Sequence, residues 1–588
     1  MFMIRYLYSK TIGIKALSSQ TYSSVVWIAM RSLPTYLVAA VVVAACVRGD
    51  RYHPADPGSR ADTVVNRAET SANYWAQEAQ AAINARLAHK ESVKKARNVV
   101  MFLGDGMSVP TLAAARTLLG QRRGHTGEED KLHFETFPTV GLTKTYCVNA
   151  QIPDSACTAT AYLCGVKTTY GAIGVNAEVP RKGCEASTDT SRHVESIAEW
   201  ALADGRDAGI VTTTRITHAS PAGVYAKVAD RNWEHNQAVE NDGFDTDKCP
   251  DIALQLVHKH PGNKLKVILG GGRLNFLPND VKDEEGVYGN RTDTRNLIEE
   301  WAQDKEDRKV THKYVWNREQ LMSLKDDLPE YLLGLFESNH LQYNMQADPT
   351  TEPTLTELTE IAIKSLSRNE KGFFLFVEGG RIDHAHHRNW VELALDETLE
   401  MDKAVARAAE LLSEDDSLIV VTADHSHVMA YNGYSARGHD ILGPSRDLDL
   451  DGVPYMTLSY TNGPGFRSHM NGIRPDVTAE DGFKCTSDFR FQYTNPQAVI
   501  KAFKDIKVKS TEDLWGMSFH YLNPVIVQNL ITIGRSLFYQ YSVNEKLEFV
   551  KETTFLGITV DDKLQWGPHI PSLAVRLSSA AYAVWKIR

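Results

Sequence analysis

Three short apolar runs in this sequence each end in residues able to hold a metal ion. Val99-Val100-Met101-Phe102-Leu103 leads into Gly104-Asp105-Gly106. Phe373 to Val377 leads into Glu378-Gly379-Gly380-Arg381-Ile382-Asp383-His384-Ala385-His386-His387, and Leu418 to Val421 into Thr422-Ala423-Asp424-His425-Ser426-His427. Asp383 and His387 stand four apart, so one helical turn would turn both toward a single ion. Asp424 and His425 can direct a carboxylate and an imidazole at a second. Mixed Asp/His ligation suits zinc, whereas an all-oxygen set such as Asp105 with Glu378 suits magnesium. Pro153-Asp154-Ser155-Ala156-Cys157-Thr158-Ala159-Thr160-Ala161 reads as a turn that opens an Ala-rich helix. Ser155 then lies at the helix start, where free amides and the helix dipole favour an alkoxide or a bound phosphate.

Elements must bring these segments together. The runs Val99 to Leu103, Ala208 to Val211, Leu265 to Leu269, Phe373 to Val377 and Leu418 to Val421 are short and mostly apolar, as strands buried on both faces are. Helix-like stretches, such as Val194 to Ala203 and Leu355 to Leu366, lie between them. Alternating strands and helices predict an α/β fold, a large and mostly parallel central sheet flanked by helices. Ligands gather beyond the carboxyl ends of such strands, which is where the three acidic and histidine-rich segments fall.

The chain of 588 residues has a net charge of −10, 43% hydrophobic and 23% charged residues. That is an ordinary globular composition, and it gives no electrostatic reason to expect a nucleic-acid partner. Met30-Arg31, the apolar run Leu37 to Ala45 and the polar residues after Cys46 read as a secretory signal peptide over 30–49, with 1–29 upstream of it. Seven cysteines fit an exported protein with one or two disulfides, and their spacing leaves the pairing open. Asn290-Arg291-Thr292 is an acceptor pattern for N-glycosylation.

The segments Phe102 to Met107, Pro153 to Leu163, Thr217-His218-Ala219-Ser220-Pro221-Ala222-Gly223, Phe376 to His387 and Thr422 to His427 resemble the signature segments of animal, insect-like alkaline phosphatases, in the same order and spacing. The resemblance runs from about Ala72 to about Gln492 and implies a phosphomonoesterase whose nucleophile is Ser155. It implies one zinc on Asp383 and His387, a second on Asp105, Asp424 and His425, and magnesium on Asp105, Ser220 and Glu378. By the same matching, Arg231 clamps phosphate, a task suited to a planar guanidinium. His218, His384 and His427 match positions close to the phosphate and the metals. Phe336, Glu337 and Glu352, with Glu285 beside them, fall where animal members hold calcium. The resemblance further implies a Cys184–Cys249 disulfide, a free buried thiol at Cys164, a homodimer and a place on the cell surface or outside the cell; whether Cys147 pairs with Cys157 stays open.

The resemblance weakens toward the carboxyl end. Gly438 to Gly465 still looks like the start of the family's crown insertion, placed at about 430–475. The family then returns to its first zinc with a Thr-His-x-Gly-Glu-Asp segment, and this sequence holds none. His439, His469, His520 and His569 lie downstream of the strand and metal-binding segment that end at His427. Residues 496–588 are similar instead to fragments of non-LTR retrotransposon reverse transcriptases, without the aromatic-x-Asp-Asp polymerase centre. The expected organisation is a phosphatase-like domain over 50–495 followed by that tail. The alternative to an active phosphatase is a relative impaired by an incomplete first zinc site.

Overall fold

The computed structural model describes residues 67–89, 95–448, 454–461, 552–555 and 558–561. The signal-peptide reading, the region upstream of it, the end of the crown and nearly all of the tail lie outside the described residues. The chain divides into two units, Met1–Phe491 and Gln492–Arg588. Of the second, a two-stranded antiparallel hairpin is described, Glu552–Phe555 with Ile558–Asp561.

The first unit is built on seven parallel strands: β1 (Asn98–Gly104), β2 (Asp207–Arg215), β3 (Val267–Gly271), β4 (His312–Val315), β5 (Tyr331–Leu335), β6 (Phe373–Gly379) and β7 (Ser417–Ala423). They lie side by side in the order β4-β5-β3-β2-β6-β1-β7. Alternate residues feed two separate cores. Val100, Phe102, Leu375 and Val377 pack on one face of the sheet, and Met101, Leu103, Phe374 and Phe376 on the other. Burial on both faces is why these strands read as continuous apolar runs instead of alternating ones.

Helices close each face. For the site, the relevant ones are α1 (Val109–Arg122), α2 (Ser155–Cys164), α3 (Ala219–Ala222), α4 (Leu355–Leu366), α5 (Arg381–His387) and α6 (Val391–Leu411). Thr354 opens α4 through a reciprocal capping box with Glu357, so the helix begins where the Thr-Leu-Thr-Glu sequence calls for it. The stretch read as a helix from Val194 starts instead at Ile197, because Ser196 and Glu199 form the same device there. Strands β4 and β5, which carried no expectation, extend the sheet beyond β3.

Register sets the functional edge. Leu103 pairs with Glu378 and Gly104 with Gly379 between β1 and β6, while Gly104 pairs with Ala423 of β7. Asp105, Glu378 and Asp424 therefore emerge at one level. Two short antiparallel pairs follow β7: β8 (Met429–Tyr431) with β11 (Leu458–Tyr460), and β9 (Pro444–Leu448) with β10 (Pro454–Met456). Met429, Met456, Leu458 and Tyr460 pack onto Ala114 and Leu118 of α1 and Leu395 and Leu399 of α6, so this excursion is anchored to the main body.

Helix α6 also buries acid. Glu397 is 3% exposed, accepts the Asn344 amide N–H at 2.7 Å, and is pushed by burial up to about 8 from an ordinary 4.5. Between those values the folded chain keeps a proton that the unfolded chain releases, so this group makes stability fall as pH rises. Glu397→Gln keeps the acceptor and removes the titration. Thermal melts followed by circular dichroism should show Tm raised by roughly 1–3 °C at about pH 8 and almost unchanged at about pH 5.

Candidate active site

Ser155 is the first residue of α2, and Asp154 is its N-cap, accepting the Cys157 amide N–H at 3.3 Å. The cap turns the serine hydroxyl toward the sheet edge. There Ser155 Oγ donates to Asp105 Oδ1 at 3.3 Å and lies 3.4 Å from His425 Nε2. Asp105, Asp424 and His425 present one donor atom each within 4.8 Å of one another. Asp424 is fixed by the Gly106 amide at 3.0 Å, the His425 amide at 2.7 Å and the Thr158 hydroxyl at 3.2 Å.

A second group, Asp105 with His218 and Glu378, meets the same distance limit. Ser220, on α3, donates its hydroxyl to Asp105 Oδ2 at 3.2 Å. Glu378 ends up wholly buried between Thr212 and Thr214 of β2, both of which donate to Oε2, the latter at 3.0 Å. Its other oxygen, Oε1, is buried with no hydrogen-bond partner. Burial pushes this carboxyl up to about 7 against those hydroxyls. An orphaned, buried carboxylate oxygen among further carboxylates is the environment a hard cation satisfies.

The third group is Asp383, His387 and His427. Helix α5 brings the first two onto one face, with His387 Nε2 3.5 Å from Asp383 Oδ1. Thr213 of β2 holds the start of α5 by accepting the Gly380 and Arg381 amides at 3.0 and 3.2 Å. His427 Nε2 comes within 2.6 Å of the same Asp383 oxygen. Placed by resemblance only near the metals, His427 stands among the candidate donors themselves.

Burial, Asp424, Asp383 and Glu378 together push Asp105 well above the usual carboxylate range. The nearby fixed cation is Arg231. Its guanidinium donates to Asp154 Oδ2 at 3.1 Å and to His218 Nε2 at 3.1 Å. Asp154 also accepts the Gly171 amide at 3.0 Å, so one carboxylate ties the serine helix to the arginine. The residue types fit metal ions at all three groups.

One feature carried no signal in the sequence. His340 joins His218 and His384 in a packed trio, its ring centre 5.4 Å from the first and 4.4 Å from the second. Arg215 donates to His340 through its guanidinium at 2.6 Å. The pairing left open above does form: a Cys147–Cys157 disulfide has its second half-cystine in the first turn of α2. Cys184–Cys249 pairs as the resemblance implies, and Cys164 is free and buried.

Away from the sheet edge, Glu352 is pushed up to about 9 by burial and by the hydrogen bond and charge of neighbouring Glu337. Glu285 turns to Arg273 instead. Phe336 is buried beside them in sequence. Asn290 is half-buried, and its side-chain amide donates to Asn275 at 2.9 Å.

A family model described as alkaline phosphatase matches residues 96–501, which contain every group above. The chain belongs to the alkaline phosphatase family. It is 64% identical over 440 residues to the membrane-bound alkaline phosphatase of Bombyx mori, covering 74% of this chain and 80% of that relative. It is 44% identical over 427 residues to the tissue-nonspecific isozyme of Felis catus, covering 71% and 80%. Among solved structures, Thermus thermophilus alkaline phosphatase aligns at 26% identity and a TM-score of 0.46, covering 58% of this chain and 62% of that one. As a member of this family the chain is a phosphatase of phosphate monoesters that works with metal cofactors. Among the described residues no helix is long and apolar enough to cross a membrane.

The Asp154–Arg231 link makes a prediction. Asp154→Asn keeps a competent helix cap but removes the charge that holds the guanidinium. It should raise KM and the inhibition constant of inorganic phosphate on the order of 10-fold, with a smaller change in kcat and little change in Tm. Steady-state kinetics with phosphate as inhibitor, beside a thermal melt, measures both.

Proposed function

We propose that this chain hydrolyses phosphate monoesters through a phosphoserine on Ser155, at a site for two zinc ions and one magnesium ion. Asp383 and His387 would hold one zinc, Asp105, Asp424 and His425 the other, and Asp105, Ser220 and Glu378 the magnesium. The observation that carries this reading is the place of Ser155 Oγ. It sits at a helix start, within 3.3 Å of Asp105 and 3.4 Å of His425, beside an arginine held by the helix cap.

When bound, the metals supply Lewis acidity that lowers the pKa of a coordinated hydroxyl or water and offsets charge on the phosphoryl group. The chain does the rest. Arg231, steadied by Asp154 and His218, grips phosphoryl oxygens with two parallel N–H donors. The free amides at the start of α2 face the same charge. Ser155 Oγ, its proton passed to bulk water, attacks phosphorus in line with the leaving oxygen, forming the Ser–O–P bond as the ester bond breaks. The leaving alkoxide takes a proton from water. A second water then attacks phosphorus, breaks the Ser–O–P bond and returns the hydroxyl. None of these side chains reads the leaving group, which supports broad monoester specificity.

A structural calcium ion at Phe336, Glu337 and Glu352 belongs to the same proposal, supported by the closeness of the two carboxyls, since burial and the charge of Glu337 raise Glu352 there. So do export through the secretory pathway, assembly as a homodimer, and a phosphatase domain over 50–495 followed by a retroelement-like tail. Catalytic impairment, the alternative reading, is not favoured beside such close relatives.

Ser155→Ala should lose phosphoenzyme formation and lower kcat on the order of 10³-fold or more, since no hydroxyl replaces the nucleophile. Acid quenching after exposure to labelled phosphate measures it; phosphoserine still trapped in the variant overturns the assignment. Removing metals with a chelator should abolish aryl phosphate hydrolysis, and zinc with magnesium together should restore it more fully than either alone. Full activity in the stripped protein would overturn the metal mechanism.

A further inference from the structure

Resting on the reading above, we propose that His427 is the third protein ligand of the metal held by Asp383 and His387. A catalytic zinc takes three protein ligands and keeps one position open. The Asp105, Asp424 and His425 group already supplies three. Asp383 and His387 supply two, and the sequence contains no Thr-His-x-Gly-Glu-Asp segment to add another. Of the downstream histidines, His439 is described, and its Nε2 faces the Pro444 carbonyl at 2.7 Å.

The third ligand is already in place, three residues beyond Asp424, the carboxylate that follows β7. The donor atoms of Asp383, His387 and His427 all lie within 4.8 Å of one another. The His427 ring is 4.6 Å from that of His387, nearly perpendicular to it at 88°, and 5.1 Å from that of His386. His386 cannot serve in its stead. Its two ring nitrogens are spent on the Thr111 hydroxyl at 2.9 Å and the Tyr460 hydroxyl at 2.6 Å.

Gly106 fixes where His427 can lie. The glycine has φ +65°, and a Cβ there would stand 2.5 Å from Cδ2 of His427 and 3.1 Å from Asp383 Oδ1. The turn after β1 thus leaves room for this ring against this carboxylate. Without an ion, Nε2 of His427 donates its proton to Asp383. In the other tautomer the proton sits on Nδ1, and Nε2 turns a lone pair to the same point. Loading the site therefore needs the other ring tautomer, with Nε2 and the carboxylate oxygen parting enough to admit an ion between them.

The test uses the full chain loaded with cobalt(II) in place of zinc. His427→Cys places a thiolate at the proposed ligand position, and a thiolate bound to cobalt gives an intense near-ultraviolet charge-transfer band that imidazole and carboxylate do not. The expected result is that band in His427→Cys and its absence in the unaltered protein, whose free Cys164 is buried elsewhere. His427→Ala should weaken binding of one of the two ions by more than 100-fold, beyond the 10–100-fold that loss of a supporting hydrogen bond costs. Both cobalt ions bound in His427→Cys with no thiolate band would overturn the proposal while leaving the phosphatase reading intact. An unaltered protein that binds no cobalt would defeat the underlying metal reading first. If the cysteine variant does not fold, X-ray absorption of the zinc-loaded unaltered protein decides: the proposal requires imidazoles of His387, His425 and His427, and scattering from His387 and His425 alone would sink it.

Discussion

Four carboxylates, Asp105, Glu378, Asp383 and Asp424, crowd one edge of the sheet, each at most 5% exposed. Packing that much like charge away from water is costly unless opposite charge is brought in. Arg231 alone does not balance it. Much of the local architecture serves to hold these groups where mutual repulsion would part them. Thr212 and Thr214 pin Glu378, Thr158 and two amides pin Asp424, and Ser155 and Ser220 each donate to Asp105. Cations bound there contribute to stability as well as to chemistry.

Beside this anionic edge stands a wall of imidazole. Burial, together with Arg231 for His218 and Arg215 for His340, holds these histidines well below the usual imidazole range. Neutral rings can pack edge to face where protonated ones would repel one another. The clamp is thus organised from two sides, by the carboxylate of Asp154 and by the ring of His218.

The chemistry was easier to read in the sequence than the scaffold around it. Asp105, Glu378 and Asp424 each follow a fully apolar run, and that adjacency carries both the strand and its ligand. Strand β4 has no such run: His312-Lys313-Tyr314-Val315 lies at the sheet edge and only Val315 is buried. Strand β5 is buried throughout but carries a glycine in Tyr331-Leu332-Leu333-Gly334-Leu335, which weakens a strand signal. His340 comes from the loop after β5 and meets His384 only through the sheet order. The place of His427 is hidden for a similar reason, since linear spacing ties it to Asp424 while space ties it to Asp383. The Ser196-Glu199 capping box is a sequence pattern that the reading by apolar content passes over, and it moves the helix start from Val194 to Ile197.

Neighbours in the sheet are strangers in the chain. β1 lies between β6 and β7, yet Asp105 is separated by 273 residues from Glu378 and by 319 from Asp424, as the hydrogen bonds across the site reflect. No early fragment of this polypeptide contains a complete ligand set, because the central strand must wait for partners from the far end of the domain. Long-range parallel pairing of this kind forms late and slowly. Occupancy by metal therefore acts as a certificate of completed folding: an ion held tightly at this edge means that β1, β6 and β7 have all found their register.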